Sequence, residues 1–211
     1  MVRAAFKPRQ GTGEGARPTP PKWPGTALWG DTNTFARESH IDILANKVCV
    51  DPLEFRLSHL TDKRMRRVLE AAAQQFGWKS GRTPSGRGVG VSCAIYLGTY
   101  VATMAGVAVS KSTGRAQVQR VVCAQDEGVI VNPDGSRQQI EGSIMMGLGY
   151  ALTEEVRFKD GEVLDRNFDT YEIPRFYMGG VIANAIYDAV SARLRQLPMT
   201  PARIQQALKR G

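Results

Sequence analysis

Histidine and cysteine are scarce in this chain. Two histidines, His40 and His59, and three cysteines, Cys49, Cys93 and Cys123, are dispersed over 211 residues without metal-ligand spacing. Two histidines are too few for a histidine-based metal centre. An odd, scattered cysteine set argues for a reducing compartment and against a disulfide framework. No nucleophile–base pair is assigned, because sequence by itself does not show a spatial triad. Long apolar runs are lacking too, and nothing approaches the roughly 18 apolar residues of a membrane span. Residues 1–25 lack the apolar core of a secretory signal. There is no internal repeat and no heptad pattern. The expected location is the cytoplasm, with the periplasm left open.

What is present is ordinary for a soluble globular protein, at 42% hydrophobic and 23% charged residues. The length allows one large domain or two small ones. The net charge is +8. Half of that excess lies in residues 1–25, where Arg3, Lys7, Arg9, Arg17 and Lys22 face Glu14 alone. The same segment is rich in proline and glycine, so it reads as a disordered basic arm. Basic charge in such an arm is not the basic face that nucleic-acid binding needs, and no nucleic-acid partner is expected.

Helical periodicity dominates the first part. The spacing predicts a helix over 32–46 with Phe35, Ile41, Leu44 and Ala45 as its apolar side. A second helix is predicted from Asp51 as N-cap with Pro52 first. A third is predicted over 62–76, ended by Gly77, with Lys63, Arg64, Arg66 and Arg67 as a solvated face. After Arg87 the period shortens. Strands are predicted over 88–97, 100–110 and 116–124, the last two joined through the hairpin-length turn Lys111-Ser112-Thr113-Gly114. A helix follows from Ser136, after the turn Asn132-Pro133-Asp134-Gly135. Asp160-Gly161 predicts a hairpin, Tyr171-Glu172-Ile173 a short strand, and 181–190 a helix. Thr200 is placed to cap a last helix that begins at Pro201. The fold class expected is α+β: N-terminal helices, then a mixed sheet with packed helices. The expected parts are 1–25 as an arm and 26–211 as one partial domain, divided at 26–80, 86–176 and 180–211.

Several motifs bear on chemistry. Gly86-Arg87-Gly88-Val89-Gly90 resembles a phosphate loop, but it follows a polar linker and opens a strand, so a flexible strand start is the expected role. Asp126, Glu127 and Asp134 are loop carboxylates, expected to be solvated or capping, and Asp134 is placed to cap the next helix. Gln138-Gln139-Ile140-Glu141-Gly142 sets two amides and a carboxylate at a helix start, which suits a polar heterocycle, while the helix N-terminus favours an anion. Gly142, Gly147 and Gly149 each weaken that helix by about 1 kcal/mol relative to alanine. Their presence implies that a backbone or a ligand approaches closely.

An ordered set of short blocks carries a family resemblance. It comprises Asn33-Thr34-Phe35-Ala36 with Glu38-Ser39, Ile41-Asp42, Val50 through Leu57, Val68 through Ala73, and Gly86-Arg87-Gly88. It continues with Asp126 through Gly128, Val131-Asn132-Pro133-Asp134, Gln139-Ile140-Glu141-Gly142, Ile182 through Ile186, Leu194-Arg195, and Leu197 through Pro201. The chain resembles the C-terminal part of the molybdopterin-binding large subunit of the xanthine dehydrogenase and aldehyde oxidase family, the molybdenum hydroxylases, in its bacterial form. The resemblance implies part of a molybdenum-cofactor-binding domain. It also implies oxidoreductase chemistry, the hydroxylation of an aldehyde or N-heterocycle, with a glutamate as base and electrons leaving through iron–sulfur clusters. The implied cofactor is molybdenum–molybdopterin, its cytosine dinucleotide form included, held only in part by this chain. The implied partners are an iron–sulfur subunit and the remaining large-subunit portion. The glutamine of the Gln-Ile-Glu-Gly block maps to Gln139 as a pterin contact, with Gln138, Glu141 and Gly142 beside it. No catalytic residue and no metal ligand is assigned.

Two departures set the expectation of activity. Family members carry the catalytic glutamate in a Gly-x-Gly-Glu block before the Ile-Ala-Asn-Ala-Ile helix. Here Pro174-Arg175-Phe176 runs almost directly into Gly179-Gly180-Val181, so a stretch of several tens of residues with that glutamate is expected to be deleted. Relatives also read Ala-Leu-Arg-Gly where this chain has Ala27-Leu28-Trp29-Gly30, and Trp29 cannot supply an arginine's forked charge. The expected function is therefore a component of a molybdenum-dependent oxidoreductase, inactive by itself. The alternative is a non-catalytic assembly module that completes a site with another subunit.

Overall fold

Local capping chemistry fixes the first helices. A computed structural model describes residues 28–79, 86–171 and 182–209, with side chains of the first helix from Thr34 onward. Helix α1 spans Leu28–Lys47, α2 Pro52–His59 and α3 Lys63–Phe76. Asp51 Oδ1 accepts from the backbone N–H groups of Leu53 and Glu54 at the start of α2, and Trp78 Nε1 donates to the same carboxylate from beyond α3. Asp62 caps α3 in the same way, and Gly77 closes it with φ +71°.

Helix α1 departs from expectation. Its inward residues are Glu38, Asp42 and Ala45, while Leu44 of the predicted apolar side is 38% exposed. Ala45 and Phe35 of the predicted side do meet the core, and charge pairs hold the rest of the buried face of α1. Glu38 accepts from Arg56 Nε at 3.0 Å and from the backbone N–H of Cys93 at 3.1 Å. Asp42 pairs with Arg193, whose guanidinium also stacks on the Tyr187 ring.

Three strands follow: β1 (Arg87–Tyr96), β2 (Thr99–Val109) and β3 (Ala116–Asp126). They form one sheet in the order β1-β2-β3, antiparallel throughout. This corrects the mixed sheet expected from sequence: both connections are short turns, which only antiparallel neighbours allow. Val91, Ala102 and Met104 share one face and pack under Leu53, Val68, Leu69 and Ala72. Val107 and Val109 point to the other face, where they meet α5 (Ile182–Val190), the end of α4 (Pro133–Leu152) and α6 (Pro201–Leu208). Helix α5 runs along β1 and presses its backbone onto Gly88. A Cβ there would lie 2.1 Å from the Ala185 carbonyl oxygen and 2.3 Å from the Ala189 nitrogen. Gly88 is thus a close-packing glycine and not part of a flexible strand start. Strands β4 (Phe158–Lys159) and β5 (Glu162–Val163) form a separate hairpin through Asp160 and Gly161, with φ +52° and +85°. The arm 1–25, the strand expected at 171–173 beyond Tyr171, and the junction at 174–180 lie outside the described residues.

Candidate functional site

The site expected from sequence lies on α4. Asn132, not Asp134, is the cap: its Oδ1 accepts from the Gly135 N–H at 3.0 Å. The helix therefore begins at Pro133, ahead of the expected start at Ser136, with Asp134 in its first turn. The reason is that proline at the first helical position needs no N–H partner, which leaves the asparagine before it to cap.

Only Leu148, Gly149 and Ala151 of α4 are buried. The Ala151 carbonyl accepts from the Met199 N–H at 2.6 Å, which fixes the C-terminal end to the core. The N-terminal half stands at the surface. Gln138, Gln139, Glu141 and Gly142 are all exposed. Gln139, Gly142 and Met146 fall on one side at helical spacing, and Met146 is 52% exposed. A Cβ on Gly142 would meet nothing within 4 Å. The close approach expected at Gly142 is therefore not supplied by this chain's described residues. What stands there is a strip of bare helix backbone flanked by two exposed amides.

Of the three loop carboxylates, Asp126 and Glu127 are half-buried and engaged by side chains, while Asp134 is exposed as expected. Arg64 donates to both Asp126 oxygens, at 3.0 and 2.7 Å, and lies 4.4 Å from the centre of the Tyr100 ring. Arg64 is thus a tie between α3 and β3 at the edge of the solvated face formed by Lys63, Arg66 and Arg67. Glu127 accepts from Ser136 Oγ and, at 2.6 Å, from Gln125 Nε2. With Asp134 in the first turn and Glu127 on Ser136, the N-terminus of α4 already has its negative partners, which leaves no room for the anion expected there.

The Arg64 guanidinium, then the Gly128 N–H, hold the Asp126 carboxyl down at about 2, against an ordinary 3.8. Its stabilising effect is therefore full above the ordinary value and is lost as pH falls through about 2. Thermal unfolding of Arg64→Gln should start at a lower temperature than wild type near neutral pH. That difference should shrink with acidification and vanish below about pH 2. A difference that is constant across this range would show that Arg64 acts through packing alone.

Among the described residues the best-formed cavities do not touch Gln138 or Gln139. One of about 410 Å³ lies between α1, α2, β1 and α5 and brings Asp42, Asp51 and Asp188 near one another. Each carboxylate is already engaged, Asp42 by Arg193, Asp51 by the α2 cap and Trp78, and Asp188 by the Val89 N–H. Burial pushes the Cys93 thiol up to about 12, so it is no nucleophile. Among the described residues no histidine, cysteine and carboxylate cluster has metal-ligand geometry, and no helix is long and apolar enough to cross a membrane. Sequence reasoning missed one surface feature. Val129 and Val131, in the loop between β3 and α4, are 92% and 94% exposed. The signal available for it is the run of three apolar residues after Gly128.

Comparison with known proteins gives this geometry a context. Residues 36–178 match the molybdopterin cofactor-binding domain family. The chain is 34% identical over 219 residues to a subunit of the nicotinate dehydrogenase of Pseudomonas putida, covering 83% of this chain and 18% of that protein. It is 32% identical to the beta subunit of the isoquinoline 1-oxidoreductase of Brevundimonas diminuta, covering 81% of this chain and 26% of the relative. The fold is similar to the crystal structure of the aldehyde oxidoreductase from Desulfovibrio desulfuricans, with a TM-score of 0.72 at 16% identity, over 85% of this chain and 41% of that one. The chain thus spans well under half the length of these relatives. The helices and antiparallel sheet are those of part of such a domain, and the matched region includes the α4 strip and all three strands. The chain belongs to the molybdopterin cofactor-binding domain family and is similar to part of a subunit of the molybdenum hydroxylases.

Proposed function

We propose that this chain is the part of a molybdenum-hydroxylase subunit that offers the Gln138, Gln139 and Gly142 strip of α4 to the pterin of a molybdenum cofactor. The observation that carries the reading is the open space over Gly142 between exposed amides, on a helix whose buried residues, among those described, lie at its far end. The residues fit the group. A pterin edge needs both donors and acceptors, which an amide supplies together, and a flat ring approaches a helix most closely where a Cβ is lacking. Bound there, the cofactor would supply the two-electron oxidation of an aldehyde or N-heterocycle, and an iron–sulfur subunit would take the electrons. Gln139 binds and orients and Gly142 admits, while Glu141, two positions from Gln139, projects from another side of the helix. Phosphate of a nucleotide-extended pterin, the cytosine dinucleotide form included, would be repelled at the α4 N-terminus by Asp134 and Glu127.

The chain by itself does not turn over. Without the glutamate base of the family, proton removal loses roughly 10²–10⁴-fold. Purified chain with stoichiometric molybdenum and aldehyde- or heterocycle-dependent dye reduction would refute this.

The test uses the 211-residue chain co-expressed with the related Pseudomonas putida nicotinate dehydrogenase polypeptide, its matched region deleted, in a host that makes the cofactor. Gln139→Ala should lower pterin and molybdenum content roughly fivefold to tenfold, the effect of one hydrogen bond. Gly142→Ala should stabilise the isolated chain by about 0.5–1 kcal/mol while lowering cofactor retention in the complex. Unchanged retention in both variants would remove the pterin from this face.

A further inference from the structure

The two edges of the sheet are treated differently. The outer edge of β1 is closed by side chains. Val89 N–H donates to Asp188, Asn184 Nδ2 donates to the Val91 carbonyl at 3.2 Å, Cys93 N–H donates to Glu38, and Arg37 donates to the Cys93 carbonyl at 3.2 Å. Backbone groups alternate sides along a strand, so the residues of β1 that bond β2 are Gly88, Gly90, Ser92 and Ala94. Their partners are Val107, Ala105, Thr103 and Val101. Tyr100, Ala102, Met104 and Gly106 then face β3, opposite Asp126, Ala124, Val122 and Arg120. The backbone groups of Val121, Cys123 and Gln125 are left pointing away from the sheet. Among the described residues none of them has a backbone hydrogen-bond partner on that side.

The usual guards of a free edge are lacking on this segment. It holds no proline and no lysine. Its two charges are engaged within the chain: Arg120, itself exposed, donates to the Gln75 and Phe76 carbonyls, and Asp126 is held by Arg64. The bulge lies at Gly106/Val107, where the partner shifts from Arg120 to Val118. The stretch Arg120–Asp126 is therefore regular strand. It leads directly into Val129 and Val131, the most exposed large apolar residues among those described. The β1–β2 turn, with Leu97 88% exposed, lies at the same end of the sheet, because Tyr100 is paired with both Ile95 and Asp126.

We infer that the outer edge of β3, from Arg120 to Asp126, is a strand-addition site for an extended segment of the complementary molybdenum-subunit polypeptide, with Val129 and Val131 as apolar anchors beside it. This rests on the reading of the chain as part of such a subunit. The occupant is chosen by length: the matched region makes up 18% of the Pseudomonas relative and 26% of the Brevundimonas one. Most of such a subunit therefore lies outside the region this chain supplies. Strand addition satisfies backbone groups without demanding a side-chain sequence, and the adjacent valines supply the apolar burial that a hydrogen-bonded edge alone lacks.

Site-resolved amide exchange of the full chain, alone and with the region-deleted Pseudomonas polypeptide, tests this. Expected are fast exchange at Val121, Cys123 and Gln125 in the free chain, slow exchange at Val122 and Ala124, and at least roughly tenfold slowing at the three outward amides in the complex. Val121→Pro removes an outward donor while leaving the β2 pairing in place, and should abolish the complex with an unchanged circular dichroism spectrum. If that variant does not fold, the wild-type exchange pattern decides. A complex that forms with the outward amides still fast overturns the edge assignment while leaving the cofactor reading intact. Protection in the free chain at high concentration, from a second copy, overturns the occupant, and so does the lack of any complex. Edge protection without bound cofactor would uphold the docking and defeat the cofactor reading.

Discussion

Replacing Glu38 by glutamine should cost about 3–5 kcal/mol of folding stability, the range for breaking a buried ion pair by removing one partner. The side chains of Glu38 and Arg56 are 4% and 2% exposed. Arg56 donates through Nε to the carboxylate, through Nη2 to the Glu38 carbonyl at 3.1 Å, and through Nη1 to the Pro52 carbonyl at 2.8 Å. Glutamine keeps the volume but leaves a guanidinium buried without a counter-charge. It also weakens the acceptor that closes the β1 edge at Cys93. One substitution thus loosens α1 from α2 and from the sheet together. The expected fall in thermal midpoint is roughly 2–4 °C per kcal/mol for a chain of this size.

A double-mutant cycle separates charge from space. Arg56→Met alone leaves a buried carboxylate and should be as damaging as Glu38→Gln. Combined with Glu38→Leu, it should recover most of the loss, because a buried pair replaced by apolar side chains of similar volume is often near neutral. Recovery should stay incomplete by the cost of the unpaired Cys93 N–H, about 1–3 kcal/mol. Additive losses would mean that the two residues stabilise separate contacts.

This network also shows which parts of the fold a sequence discloses. Helices α2, α3 and α6 are legible because their signals are local: Asp51, Asp62 and Thr200 cap them, Pro52 and Pro201 occupy first positions, and Gly77 ends α3. The β4–β5 hairpin is legible because Asp160-Gly161 tolerates the positive φ that its turn requires. The inward face of α1 is not legible. Glu38 meets Arg56 18 positions away and Asn184 146 positions away, and without those partners a charged residue on a helix reads as solvent-facing. The tie from Arg64 to Asp126 is hidden for the same reason, across 62 positions. The candidate site divides in the same way. The glycines of α4 signal an unusual surface, but only the family resemblance points to Gln139, because an exposed amide at a helix start has no chemical signature of its own.

Gly88→Ala should be the other large effect, a loss of about 3 kcal/mol or more, at or above the upper end for overpacking a core. The added methyl would lie 2.1 Å from the Ala185 carbonyl oxygen, 2.3 Å from the Ala189 nitrogen and 2.8 Å from the Ala189 Cα. All three are backbone atoms, so no rotamer change relieves the contact. The only relief is to lift α5 from β1. That helix buries Ile182, Ala185, Ile186 and Ala189 completely, and it carries Asn184 and Asp188, which close the β1 edge at Val91 and Val89. Lifting it would expose apolar core and free two edge groups at once. Gly142→Ala is the matched control, the same added methyl with nothing within 4 Å, and it should raise stability where Gly88→Ala lowers it. Denaturant midpoints of the two variants beside wild type give the comparison, and amide exchange at Val89 and Cys93 locates the damage. A Gly88→Ala midpoint equal to wild type would mean that α5 does not seat on this strand, and that its side chains do not close the β1 edge.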